Sequence, residues 1–599
     1  MSRTGQTGRF RRAKLAAAAV GLLGTLLVPG VAQAHGHHRP STEDLQLLAI
    51  NDFHGNLEPP AGSSGTVKEI DPATGQTVST PAGGVEYLAT ALRQAREGHR
   101  NTLTVAAGDI VGASPLLSGL FHDEPTIEAM NKLGLDVTSV GNHEFDEGSK
   151  ELLRLQNGGC HPTDGCYAKG RKFKGADFEY LAANVTSEKT GRPILDPYWV
   201  TEVHGVKVGF IGVTLEGTPN IVTAAGVQGL KFGNEVTTIN KYAAELKRKG
   251  VNSIVALIHE GGYPASPVYN YDCGAAGAGI SGPIVDIAKK IDPAVGAIVT
   301  GHTHNAYACS IPDPNGVPRS VTSAASFGRL YTEIDLKLDK RTGAIVRPSV
   351  TAANHVVRRD VPKAPDMTKL IGYYNTIAAP IANRPVGYIA ADINGRGSTD
   401  LEKPLGDVIA DAQLAGLAPA DKGGAQLAFM NPGGIRADLV YKASGSEGDG
   451  VVTYGEAFTV QPFTNMMQVK TLTGAQVIQV LQQQVSGLNE AAPKVLQVAG
   501  LTYSLDMTKS GADRVVVPSV KLGGTPIDPA ASYRVAANEF LAGGGDGFPA
   551  FTAGTDKLVG ASDLDLFTAY LSAHSSAASP LAVPAEDRIT VLGGGTDQD

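Results

Sequence analysis

Gly141-Asn142-His143-Glu144-Phe145-Asp146 follows a short β-branched and apolar run, Asp136 to Val140, and this pairing decides how the first half of the chain is read. The run is too short for a helix, and it ends in a glycine turn holding an amide, an imidazole and two carboxylates. The same grammar recurs along the chain. Leu45 to Ile50 leads into Asn51-Asp52-Phe53-His54-Gly55-Asn56, and Thr102 to Ala106 into Ala107-Gly108-Asp109. Ile254 to Ile258 leads into His259-Glu260, and Val295 to Val299 into Gly301-His302-Thr303-His304. Val208 to Val213 is a further strand of this type. Amphipathic helices lie between them. Glu124 to Leu133 has Pro125 in its first turn, Ile127, Met130 and Leu133 on one face, and Gly134 as its stop; Val85, Leu88, Ala89 and Leu92 repeat that spacing before Gly98. Short strands alternating with helices define an α/β domain from about Asp44 to Asp360.

Parallel strands point their C-terminal ends at one edge of a sheet, so side chains scattered from Asp52 to His304 can converge. A single Asp or His in a turn is ordinarily a cap or a satisfied surface group. Five clusters at matching strand ends are not accounted for that way. Mixed imidazole and carboxylate donors suit Zn, Mn, Fe or Co better than Ca or Mg. A carboxylate such as Asp109 can bridge two cations, which together acidify a bound water and hold the attacking and leaving oxygens of a phosphoryl group in line. The predicted chemistry is phosphoester hydrolysis.

D-x-H, G-D, G-N-H-E, H and G-H-x-H, in this order, resemble the calcineurin-like metallophosphoesterases. Asp146 and the second half of the chain narrow the resemblance to the 5′-nucleotidase family, which includes secreted bacterial nucleotidases and UDP-sugar hydrolases. The resemblance implies an N-terminal metallophosphoesterase β-sandwich flanked by helices and a C-terminal α+β substrate-binding domain. It implies two divalent metal ions (Zn, Mn, Co or Fe). Asp52, His54 and the bridging Asp109 hold one, and Asn142, His259 and His302 the other; His304 falls where the first has a further ligand, a position that is Gln in some members. His143 takes the place of the catalytic histidine, oriented by Asp146.

The second half adds a nucleotide-binding set. Asn431-Pro432-Gly433-Gly434-Ile435-Arg436 places an amide and a guanidinium on a Gly-rich turn, where Arg can fork onto phosphate. By the resemblance, Asn431 touches the base or ribose and Arg436 the phosphate, while Phe463 and Phe540 sandwich the nucleobase. Asp546, in Gly543-Gly544-Gly545-Asp546-Gly547-Phe548, then binds ribose hydroxyls. Arg396, in Asn394-Gly395-Arg396-Gly397, is the nearest candidate for an arginine that the family often carries before its P-L-G-D helix start.

The chain's 599 residues predict two or more domains, and 42% apolar residues exclude a disordered chain. A formal charge of −8 argues against a protein that wraps duplex nucleic acid. Residues 1–34 read as a signal peptide: Arg3, Arg9, Arg11, Arg12 and Lys14, then an apolar run from Leu15 to Val31, then Ala32-Gln33-Ala34. Cleavage near Ala34 removes five positive and no negative charges and leaves −13 on a secreted, periplasmic or wall-associated product with no stable membrane insertion. His35, His37 and His38 read as a solvated tail. Export permits disulfides, and Cys160 with Cys166 and Cys273 with Cys309 close the shortest loops. Expected domains are 42–360 and 386–592, joined by a linker and hinge over 361–385 whose helix runs from Met367 to Ala379. In the second domain Pro404 to Leu417 and Gly474 to Val485 read as helices, Leu427 to Met430 and Val515 to Val520 as strands. Ala61 to Pro81 and the residues from Gly593 read as flexible loops. The leading reading is a secreted dimetal 5′-nucleotidase acting on small-molecule nucleotides through metal-activated water. The alternatives are a 2′,3′-cyclic-nucleotide phosphodiesterase and 3′-nucleotidase, a UDP-sugar hydrolase, and a non-catalytic nucleotide-binding surface protein.

Overall fold

Strand Thr42–Ile50 feeds two cores at once: Leu45, Leu47 and Ala49 enter one, Leu48 and Ile50 the other. A strand buried on both faces has no polar side, which is why its sequence is nearly continuous in apolar residues. The computed structural model describes residues 41–71, 73–167, 172–223 and 225–593. The expected signal peptide, His35, His37, His38 and the tail from residue 594 lie outside the described residues.

Two six-stranded sheets face each other in the N-terminal half. The first runs Thr351–Val356, Leu330–Asp339, Thr42–Ile50, Thr102–Ala107, Val137–Ser139, Glu179–Leu181. The second runs Ala306–Pro312, Pro318–Ala324, Val295–Thr300, Ser253–His259, Val206–Thr214, Tyr198–Val203. Leu47, Val105, Leu257 and Val299 meet between them. Helices Val85–Ala95 and Glu124–Leu133 cover the outside of the first sheet, and Glu235–Arg248 and Pro283–Lys290 the outside of the second. The central strands of both sheets are parallel and in step. Ile50 pairs with Ala106, Ala107 with Ser139, His259 with Thr214 and Ile258 with Thr300. Every motif turn therefore leaves at one shared edge.

The C-terminal half is built on a five-stranded mixed sheet: Gln497–Ala499, Leu427–Met430, Ser532–Asn538, Met466–Thr473, Thr555–Ser562. Ala428 and Met430 face helices Pro404–Leu417 and Asp563–His574, while Leu427 and Phe429 face helix Gly474–Gln483. The α+β expectation holds for this half.

Three expectations need correction. Ala61 to Pro81 is not a loop: Thr66–Ile70 and Thr77–Pro81 form an antiparallel hairpin, and its Val67 is buried. Val515 to Val520 is not a strand; Pro518 cannot donate to a ladder, and Val517–Ser519 is a short 3-10 turn instead. The linker helix runs from Pro365 to Ala382, and its Met367, Leu370, Ile371, Tyr374 and Ala378 enter the core that holds Phe121 and Ile127. The helix thus packs as part of the N-terminal body rather than standing free as a linker. Both expected disulfides, Cys160–Cys166 and Cys273–Cys309, are formed.

Candidate metal centre

The edge where the strands end is made of turns in left-handed backbone. Asp52 (φ 48°), His54 (47°), Asp109 (50°), His302 (71°) and His304 (58°) all sit there without being glycine. Each such residue costs roughly 1–3 kcal/mol unless its surroundings hold it, and such outliers gather at functional sites. The turns also press together. A Cβ on Gly141 would lie 2.1 Å from Asp109 Oδ1, and one on Gly108 would lie 2.7 Å from His259 Nδ1. Glycine alone lets the G-D and G-N-H turns meet.

Two groups of donor atoms result, each within 4.8 Å: Asp52, His54, Asp109 and His304, and Asp109, His259 and His302. Asp109 belongs to both, its Oδ2 lying 3.0 Å from His259 Nε2 and 3.6 Å from His54 Nε2. Asn142 Oδ1 lies 3.2 Å from His259 Nε2 and 3.0 Å from His302 Nδ1. His304 Nε2 is 3.1 Å from His54 Nε2 and 3.5 Å from Asp52 Oδ1. All seven ligands expected from the sequence are brought together. Carbonyls fix two of the rings: His54 Nδ1 donates to Gly112 O at 2.8 Å and His259 Nδ1 to Ala107 O at 2.7 Å, so each turns Nε2 toward the cluster.

The electrostatics fit a cation. Burial pushes the Asp52 carboxyl up to about 7, and the Asp109 charge adds to it. Burial pushes His302 down to about 3 and holds His54 and His304 well below the ordinary imidazole value, so these rings are neutral. At His259 burial also opposes charge, but Asp109 and Asp52 outweigh it and push the ring up to about 10. A proton is drawn to the place where positive charge is wanted most. Two buried carboxylates facing four imidazoles and an amide oxygen make a donor set for divalent cations of the Zn, Mn, Co or Fe type.

His143 stands beside this cluster. Its Nδ1 is 2.8 Å from Asp146 Oδ2, and its backbone N–H donates to Asp109 Oδ1 at 2.9 Å. Burial disfavours the imidazolium, yet Asp146 and Asp109 hold its pKa above the ordinary value. Glu144 was left without a role by the sequence. Its carboxylate accepts the N–H groups of Asp109 (3.0 Å), Ile110 (2.8 Å) and Gly141, so it ties the second turn to the third. Nothing in the hexapeptide says which amides a turn carboxylate will meet.

The C-terminal half reaches the same edge. Arg396 Nη2 lies 3.0 Å from His304 Nδ1. Arg436 lies over the Phe463 ring at 5.8 Å, and its buried Nη2 has no hydrogen-bond partner. Phe463 stacks on His143 with ring centroids 5.6 Å apart. Further along, Asp546 (φ 57°) accepts from Asn431 Nδ2 at 3.0 Å and from Lys494 Nζ at 2.5 Å, while Asn538 Nδ2 donates to Asn431 Oδ1 at 3.0 Å. Asn431 and Asn538 meet because their strands run parallel, Phe429 pairing with Ala537. Lys494 was missed, since no local pattern marks it. Phe540 packs close to Gly545, and among the described residues no ring contact joins it to Phe463.

Metal-dependent hydrolases of phosphate esters are the class of protein that this fold and cluster define. Residues 45–306 match the calcineurin-like phosphoesterase family and residues 381–553 the 5′-nucleotidase C-terminal domain. The cell wall protein Lmo0130 of Listeria monocytogenes is 34% identical over 91% of this chain and 69% of its own length. Endonuclease YhcR of Bacillus subtilis is 32% identical over 91% of this chain, which spans 41% of that protein's length. The crystal structure of a 5′-nucleotidase precursor from Thermus thermophilus superposes with a TM-score of 0.73 at 26% identity, covering 92% of this chain and all of that one. This chain belongs to the calcineurin-like phosphoesterase family, in the group that carries a 5′-nucleotidase C-terminal domain.

Proposed function

We propose that the protein is an exported 5′-nucleotidase that cleaves nucleoside monophosphates to nucleoside and phosphate. One observation carries this reading: Arg396, Arg436 and Phe463 of the C-terminal half lie against His304 and His143 of the N-terminal half. A phosphate at the cluster would thus meet two guanidiniums, and a base beyond it an aromatic face. Two divalent cations, when bound, supply Lewis-acid polarisation of the phosphoryl group and a water acidified for attack. Asp52, His54, Asp109, Asn142, His259, His302 and His304 would hold them. Asp146 keeps the His143 proton on Nδ1, or both nitrogens protonated, and orients the ring so that Nε2 serves the phosphoryl group or the leaving oxygen. A guanidinium only donates, so its contact fixes the His304 proton on Nε2. For Nε2 to become a ligand that proton must move to Nδ1, and Arg396 must turn away, toward the phosphate. Asn431, Asp546 and Lys494 form the polar wall for the ribose. The bonded cysteine pairs support work outside the cytoplasm.

The purified chain, assayed for phosphate release from AMP, UDP-glucose, ATP and a cyclic nucleotide, should favour AMP and lose activity on chelation. Chelator-resistant or absent hydrolysis of all four would overturn the reading. In Phe463→Ala the apparent KM for AMP should rise about 5- to 150-fold, the worth of one base stack of roughly 1–3 kcal/mol. An unchanged KM would remove Phe463 from the base site.

A further inference from the structure

A second concentration of metal-capable side chains stands apart from the cluster, and two of its members, His122 and Asp164, line a cleft of about 480 Å³ that also contains His143, Asp146 and Phe463. His122 Nε2 and Asp164 Oδ2 are 2.8 Å apart, and His161 Nδ1 is 3.5 Å from the same oxygen. The ligand atoms of these three residues fall within 4.8 Å of one another. The rings of His122 and His161 stack with centroids 3.7 Å apart.

Three features go beyond chance proximity. His122 Nδ1 lies 2.6 Å from Glu147 Oε2, the carboxylate behind an imidazole that fixes the tautomer and turns the other nitrogen toward a ligand position. His122 is held at φ 48°, a left-handed backbone shared with five of the residues at the main cluster. His161 and Asp164 ride on a loop closed by the Cys160–Cys166 disulfide and by paired hydrogen bonds between His161 and Gly165 of 3.0 and 2.9 Å. That loop costs little further ordering when a ligand arrives.

We propose that His122, His161 and Asp164 form a third divalent-cation site, with Glu147 bonded to the back of His122. Two imidazoles and a carboxylate suit Zn²⁺ or Co²⁺, with water completing the coordination. His161 Nδ1 accepts the Asp164 N–H at 3.1 Å, and a cation would take over that lone pair. The surrounding charge favours it: burial opposes protonation of His122, but Glu147, Asp164 and Glu151 outweigh burial and push the ring up to about 9. A divalent ion would compete for the same field. Glu147 directly follows Asp146, so an occupied site stiffens the turn that orients His143.

The test counts ions. The full chain, stripped by chelator and dialysed against Zn²⁺, is compared with His161→Ala and Asp164→Asn by elemental analysis. Each variant should hold one ion fewer per chain than the unmodified protein; the difference is read, so the result does not depend on how many ions the main cluster takes. Equal counts would overturn the proposal. A second measurement, which leaves the proposed site unmutated, follows carbethoxylation of His122 and His161 by diethylpyrocarbonate with peptide mass mapping. Zn²⁺ should slow both at least tenfold, in unmodified protein and equally in Asp52→Asn/His259→Ala protein whose main cluster is impaired. Modification at unchanged rates in both proteins would also overturn it.

Discussion

Asp109→Asn lowers kcat/KM by on the order of 10³-fold or more, about 4 kcal/mol of transition-state stabilisation. The change keeps shape and keeps an oxygen to accept the His143 N–H, but it deletes the charge shared by both donor groups. Its signature in stability is read with and without metal. In the metal-free protein burial opposes the Asp109 charge, but His259, 3.0 Å away, and His143 outweigh it and hold the carboxyl well below the ordinary range. Neutralising it leaves the buried His259 imidazolium without its nearest counter-charge, which outweighs the relief of repulsion at Asp52 and Glu144, so the metal-free fold is weakened. With metal at a hundred times its Kd the native chain gains about 2.7 kcal/mol from binding, and the variant should lose most of that gain. Thermal melts with and without Mn²⁺, Co²⁺ or Zn²⁺ read both effects. A variant that keeps its metal-dependent rise in Tm would show that Asp109 does not join the two groups.

His143→Ala leaves the ligand set intact and should cut kcat by about 10² to 10⁴-fold, the range for a lost proton-transfer or electrostatic group. Metal content should not change, because no contact among the seven ligands passes through the imidazole. Asp146→Asn keeps the ring but weakens its orientation, and should cost about 10 to 100-fold, as lost outer hydrogen-bond partners do. A His143→Ala protein with near-normal kcat would remove it from the reaction; one that had lost its metal would recast it as a support for the Asp109 turn.

The site was legible for a reason specific to this architecture. Asp52, Asp109, Asn142, His259 and His302 follow strands whose parallel register is in step, and glycines before Asp109, Asn142 and His302 mark where the turns must touch. The C-terminal half was harder to read. Asn431 and Asn538 are neighbours through sheet pairing across 107 residues, and Lys494 reaches Asp546 from a segment with no pattern of its own. The linker helix looked free because its boundaries were read from prolines, yet Met367, Leu370 and Tyr374 belong to the core of the first sheet's outer layer. The hairpin over 66–81 was hidden by turn-rich composition, although Thr66–Ile70 and Thr77–Pro81 have β-branched residues suited to strands.

The two donor groups and the Asn142 oxygen beside them draw on both sheets: Asp52, His54, Asp109 and Asn142 from the first, His259, His302 and His304 from the second. Contacts such as Asp109 to His259 and Asn142 to His302 cross from one sheet to the other. The centre is therefore a clasp at the mouth of the sandwich, and it gauges the spacing of the layers beneath it. A smaller residue at Leu257 or Val299, which pack between the sheets, should therefore be read in metal affinity as well as in stability.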